Sequence, residues 1–135
     1  MKSTLLLVGA ATLGLAGCGT ASQHDTVIKD AVANRVFLYQ SPNDGDATLT
    51  VTRANGLFGG GCSSRLSIDQ KFAADIEIGE QATFHLPNGQ HTLALDSSGA
   101  CQTGPTQMDV SLGAGETHQV AINARGTALS QVDKR

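Results

Sequence analysis

Residues 66–78 run Leu66-Ser67-Ile68-Asp69-Gln70-Lys71-Phe72-Ala73-Ala74-Asp75-Ile76-Glu77-Ile78, and after Gly79-Glu80 the chain continues Ala82-Thr83-Phe84-His85-Leu86-Pro87-Asn88-Gly89-Gln90-His91-Thr92-Leu93-Ala94-Leu95. Alternation of apolar and polar residues predicts β-strands, because successive side chains of a strand point to opposite faces. The pattern reads as two consecutive β-hairpins between Cys62 and Cys101. In the first, a three-residue connection Asp69-Gln70-Lys71 sets Ile68 opposite Phe72 and Leu66 opposite Ala74. In the second, Asn88-Gly89 is a strong two-residue hairpin signal. It sets Leu86 opposite His91, Phe84 opposite Leu93 and Ala82 opposite Leu95. Every large apolar residue of both strands then shares one face, which a one-residue slip would reverse.

Working outward, residues 35–39 read as a first strand that ends at the turn cluster Ser41-Pro42-Asn43-Asp44-Gly45-Asp46. Ala47 to Arg53 alternates Leu49 and Val51 against Thr48, Thr50 and Thr52, a half-buried strand rich in β-formers. Beyond Gly104-Pro105, a third hairpin places Met108, Val110 and Leu112 on one face. It turns at Gly113-Ala114-Gly115 and continues with His118, Val120 and Ile122, pairing Val110 with His118 and Met108 with Val120. Residues 128–132 add a short edge strand. The expected fold is all-β: a small, hairpin-rich two-layer antiparallel β-sandwich of seven to nine short strands.

The N-terminus has a different character. Lys2 is a minimal basic region, Leu5 to Leu15 an apolar one, and Leu15-Ala16-Gly17-Cys18 closes the segment as a signal peptide would close. Residues 5–17 are too few to span a bilayer, which takes about 20 apolar residues. Leu15, Ala16, Gly17 and Cys18 resemble the lipobox of bacterial lipoproteins. The resemblance implies cleavage before Cys18, diacylglycerol and fatty acid such as palmitate on that residue, and attachment to a membrane. Gly19 stands where lipoproteins kept in the inner membrane of Gram-negative bacteria carry Asp, so the expected address is the cell envelope and, in a Gram-negative source, the outer membrane facing the periplasm. The domain plan is signal peptide 1–17, lipidated tether 18–34, β-sandwich 35–132 and polar tail 133–135.

Without residues 1–17, eight basic residues face twelve acidic ones, a formal charge of −4. No basic stripe is present, and one Tyr, four Phe and no Trp supply few stacking platforms. Nucleic acid is therefore excluded as a partner. Cys62 and Cys101 are the two cysteines left after the anchor, and in an exported domain they are expected to form a disulfide. Closing a loop of about 40 residues stabilises by about 4 kcal/mol in the chain-entropy model.

Chemistry-bearing residues are few. His85 points outward and His91 toward the apolar face, so the two cannot share a metal ion. Asp75 and Glu77 leave the first hairpin on its solvent side, where paired carboxylates read as a solvated edge. Asn43, Asp44 and Asp46 lack the spacing and distal Glu of a calcium loop. No zinc-binding or nucleophile-elbow motif occurs. No cofactor and no catalytic residue is expected. Within Asn55-Gly56-Leu57-Phe58-Gly59-Gly60-Gly61, Leu57 and Phe58 are either core residues or an exposed apolar tip for a partner.

Several pieces together resemble a family: the lipobox, a strand ending Thr52-Arg53, a glycine-rich stretch closing on Cys62, Leu66 to Lys71, Gly79-Glu80, Phe84 to Leu93, Cys101 and the turn Gly113-Ala114-Gly115-Glu116. They look like uncharacterised small bacterial lipoproteins with a compact, PEGA-like β-sandwich. Gln70 departs from that pattern, whose turn has Gly there. The resemblance implies a fold and an address and carries no catalytic residues. The expected function is a membrane-anchored, non-enzymatic binding or structural module of the envelope. An inhibitor or immunity protein against an exported enzyme is the alternative, and a metal-dependent hydrolase using His85, Asp75 and Glu77 the more distant one.

Overall fold

A computed structural model of the chain describes residues 27–56, 62–97 and 106–133. Among the described residues, nine strands form two layers: β1 (Lys29–Asp30), β2 (Ala47–Arg53), β3 (Ser64–Ile68), β4 (Lys71–Ile76), β5 (Glu80–Leu86), β6 (Gly89–Ser97), β7 (Thr106–Leu112), β8 (Thr117–Ile122) and β9 (Leu129–Gln131). One sheet has the order β1-β5-β2-β8-β9 and the other β4-β3-β6-β7. The first is mixed, since β1 runs parallel to β5 and β8 parallel to β2. The second is antiparallel throughout. The two-layer β-sandwich expected from the pattern is what the chain forms.

Alternation places the core correctly. Leu49 and Val51 of β2, Leu66 and Ile68 of β3, Phe84 and Leu86 of β5, Leu93 and Leu95 of β6, Val110 and Leu112 of β7, and Val120 and Ile122 of β8 are all buried in one cluster. Removing this apolar surface from water is the main driving force for the fold.

The pairing differs from the expected hairpins. β5 bonds to β2, with Leu49 opposite Phe84 and Val51 opposite Ala82. β6 bonds to β3 and β7, with Leu93 opposite Ile68 and Met108. The segment read as the second hairpin is therefore a crossing between layers, and Phe84 and Leu93 lie in facing sheets of one core. The third hairpin is corrected likewise, because β7 and β8 lie in different sheets. Pro87 supplies the reason in the first case: it has no N–H to give to a ladder beside an Asn-Gly turn. Sheets pack about 10 Å apart, and three Cα steps of about 3.8 Å just cover that gap. Residues 41–46 cover the crossing closely enough that a Cβ on Gly45 would fall 1.9 Å from the Leu86 carbonyl carbon.

The first hairpin exists with a tighter turn. Asp69 and Gln70 alone form it, at φ 50° and 67°, so Ile68 pairs with Lys71 and Ser67 with Phe72. A shift between Leu66 and Ser67 then restores Leu66 opposite Ala74. This is a β-bulge, and it buries both Ala73 and Ala74 while turning half-buried Phe72 to the outside. There Phe72 packs against Phe37 at 5.1 Å between ring centroids, with the Arg65 guanidinium 4.6 Å from its own centroid.

The N-terminal segment is docked earlier than the tether reading has it. Lys29 N–H donates to Gly79 O and Ala31 N–H to Gln81 O. The expected strand at 35–39 is instead a short 3-10 turn at Ala33–Arg35 followed by a single bridge, Val36 to Ala74. Tyr39, at φ 57°, breaks any continuation as a strand. Residues 31–37 thus pass from the β1 edge of one sheet to the β4 edge of the other and close that side of the sandwich.

Gln70 holds a left-handed conformation that costs a non-glycine residue about 1–2 kcal/mol. Glycine there adds about 0.4–1 kcal/mol of unfolded-state freedom, so relief of strain wins. Gln70→Gly is expected to stabilise the domain by about 0.5–1 kcal/mol in equilibrium denaturation.

Candidate functional site

His91 is the buried titratable group nearest the crossing. β6 carries it on the core face, as the alternation required, and it is 8% exposed. Its Nδ1 is 2.6 Å from Asp69 Oδ2 and its Nε2 is 2.7 Å from Pro87 O. Both partners accept, so the two contacts are both satisfied as hydrogen bonds when the imidazole is protonated and each ring nitrogen donates. Burial disfavours that charge, yet the hydrogen bonds to Asp69 and Pro87 and the Asp69 charge outweigh it and raise the His91 pKa. Burial likewise pushes the Asp69 carboxyl up, but His91, the Thr92 N–H and Lys71 together bring it below its ordinary value. His91 thus ties the β3–β4 turn to the β5–β6 crossing. With both nitrogens committed it has no lone pair for a metal ion or for general-base work.

The other residues singled out in the sequence are not brought together. His85 projects from the outer face of β5, in the five-stranded sheet, between buried Phe84 and Leu86. Asp75 projects from the outer face of β4, in the other sheet, between buried Ala74 and Ile76. Glu77 lies 3.3 Å from Arg35, which also holds Glu80 through two hydrogen bonds of 2.9 and 2.6 Å. His118 is 2.9 Å from Glu116 Oε2, and the same carboxylate accepts from the Gly113 N–H at 2.9 Å, shaping the β7–β8 crossing. Asp44 accepts from the Ser41 N–H at 3.0 Å in a capping box, so that cluster is turn chemistry. Among the described residues, no group of three or more His, Cys, Asp or Glu is placed to hold a metal ion. Leu15, Ala16, Gly17, Cys18, Leu57, Phe58 and Cys101 lie outside the described residues. Cys62 is described and buried, 5% exposed.

Arg53 was not singled out in the sequence, although alternation gives it the same face as Leu49 and Val51. It is fully buried. Its guanidinium donates to the carbonyls of Cys62 at 2.8 Å, Ile76 at 3.0 Å and Ala124 at 3.1 Å. Burial lowers its pKa, and the Glu77 charge offsets this in part. Arg53 Nε and Ser64 Oγ have no hydrogen-bond partner among the described residues. A Cβ on Gly126 would sit 2.3 Å from that Ser64 oxygen. Arg53 is therefore a structural tie at the end of β2, holding the carbonyls of Cys62, Ile76 and Ala124 together.

The outer face of the four-stranded sheet is accessible as well. Two shallow depressions of about 390 and 280 Å³ adjoin there and share Ala94. One is lined by Asp69, Gln70, Thr92 and Gln107, the other by Arg65, Ser67, Phe72 and Asp96. Small side chains on the middle strands make the floor: Ala94 has Ser67 beside it on β3 and Gln107 on β7. Thr92 Oγ1 donates to Asp109 Oδ1 at 2.7 Å, fixing one wall. The result is a polar trough across the strands with an aromatic ring and a guanidinium at one end. It fits an extended chain better than a compact small molecule, because ligand pockets for the latter enclose most of their guest.

No protein-family model matches this chain, and no curated protein matches it. Among the described residues, no helix is long and apolar enough to cross a membrane.

The His91–Asp69 pair gives stability a pH signature. His91, raised above its ordinary value of 6.5, contributes fully below that pH, and its contribution is lost as pH rises through the raised value. Asp69, lowered from 3.8, contributes above that pH and loses its contribution as pH falls through the lowered value. The pair is therefore strongest between about pH 4 and 6.5. Denaturation midpoints are expected to fall as pH rises above about 6.5, and Asp69→Asn is expected to flatten that slope while costing about 1 kcal/mol at about pH 6.

Proposed function

We propose that this chain is a lipid-anchored bacterial envelope lipoprotein whose β-sandwich is a non-enzymatic module that binds an extended polar partner along the outer face of its four-stranded sheet. The observation that carries the binding reading is the pair of adjoining depressions over Ala94. Outer strand faces of a sandwich are ordinarily covered by long polar side chains, and here the central positions are Ala94 and Ser67. The anchor reading rests on Leu15-Ala16-Gly17-Cys18 directly after an apolar segment. It gives an address in the cell envelope, on the periplasmic side of the outer membrane in a Gram-negative source. In that compartment Cys62 and Cys101 form a disulfide, and burial of Cys62 suits a structural bond.

The non-enzymatic reading is supported by where the reactive groups spend their bonding capacity. His91 is used at both nitrogens, Arg35 and Glu80 hold each other, and Glu116 shapes a turn. The envelope-extracted chain should carry acyl groups on Cys18 and yield a joined Cys62–Cys101 peptide in non-reducing mass spectrometry. Ala94→Arg fills the trough from a half-exposed position, so stability should stay within about 0.5 kcal/mol of wild type. Crosslinking in intact envelopes should give an adduct with the wild-type chain that disappears with Ala94→Arg. An adduct unchanged by that substitution would contradict this face as the binding surface, and an exported enzyme in the adduct would make the module an inhibitor.

A further inference from the structure

The described surface exposes four large apolar side chains: Val27 (68%), Val32 (50%), Phe37 (52%) and Val132 (46%). Single exposed apolar residues are ordinary. Three of these four, however, fall within residues 27–37, the segment that closes the side of the sandwich between β1 and β4. Phe37 extends the patch onto half-buried Phe72.

The charges around this side are sorted. Lys29, Arg65 and Lys71 are exposed there. Of the acids nearby, Glu80 and Glu77 pair with Arg35, Asp75 stands opposite Arg65 on β4, and Asp30 Oδ1 accepts from the Gln81 side-chain amide at 2.9 Å. Apolar tips with flanking cations that can reach headgroups are what a shallow interfacial contact requires.

The length of chain before the docked segment says what this side faces. Cys18 and Lys29 are 11 positions apart, so a chain anchored at Cys18 holds Lys29 within about 40 Å of the acyl attachment even when fully extended. The segment enters the fold at the β1 edge, beside the apolar residues. We infer that the side of the sandwich formed by residues 27–37, with Val27, Val32 and Phe37 at its tips, lies on the lipid surface and sets the domain's orientation on the membrane. This inference rests on the lipid-anchor reading. The patch adjoins the Phe72 and Arg65 end of the trough over Ala94, whose other end, at Gln107 on β7, lies at the edge far from β4.

The protein has no Trp, so one introduced indole reports alone. The test uses the acylated mature chain in vesicles of phosphatidylethanolamine and phosphatidylglycerol, about three to one, whose acyl chains are brominated. Phe37→Trp, and Val32→Trp as a second position, should show blue-shifted emission that brominated lipid quenches by about twofold, as for a side chain seated at the headgroup–acyl boundary. Gln107→Trp, on the far edge strand, should keep solvent-like emission without quenching. If the acylated Phe37→Trp and Val32→Trp proteins both stay unquenched, the orientation is overturned while the anchor reading is left intact. Absence of acyl mass on Cys18 would overturn the anchor reading and this inference with it. A blue shift that depends on protein concentration but not on brominated lipid would assign the patch to a second copy of the chain, against the inference.

Discussion

Several consecutive strands in this chain, β5 and β6 among them, share a core without sharing a sheet, and the crossing at Pro87-Asn88 is where that arrangement is held. A two-residue link spans the gap between layers only when nearly extended, so the chain has no slack there. His91, at the start of the next strand, uses its Nε2 to hold the Pro87 carbonyl and its Nδ1 to hold Asp69 in the neighbouring turn. One imidazolium thus ties a proline that cannot donate to a ladder, a turn whose two residues are both left-handed, and the entry of β6. The bulge at Ala73, the outward swing of Phe72 and its stacking with Phe37 follow from that tight turn.

Much of the fold was legible because alternation reports which face of a strand is buried. Leu49, Phe84, Leu93, Val110 and Val120 were placed on the core side from spacing alone, and Ala47–Arg53 was found with its observed bounds. Alternation is silent on which strand lies beside which. Phe84 and Leu93 can meet as neighbours in one sheet or as facing residues of two, and both arrangements satisfy the same pattern. Turn chemistry is the arbiter: Asn88-Gly89 points to a hairpin, but Pro87 beside it carries the harder constraint. The Asp69-Gln70 turn was missed for a related reason: Gln rarely takes a left-handed conformation, and here Asp69's bonds to His91 and to the Thr92 N–H hold the turn from outside.

The site was less legible than the fold. Titratable residues attract attention in a sequence, and in this structure most of them close turns, crossings and edges. Arg53 shows the converse. Its position on the core face of β2 was available from alternation, and the demand for a donor came from three carbonyls contributed by distant connections. The trough over Ala94 could not be read in advance, since it is made by the absence of bulk where β3, β6 and β7 lie side by side, and that adjacency was the part the pattern left open.

Backbone NOE spectroscopy on the mature domain tests the layered arrangement most directly. Cross-strand contacts should connect Leu93 with Ile68 on one side and with Met108 on the other, and Phe84 with Leu49, following the observed registers. A backbone ladder joining Phe84 to Leu93 and Leu86 to His91 would contradict the crossing and restore a simple hairpin at Asn88-Gly89.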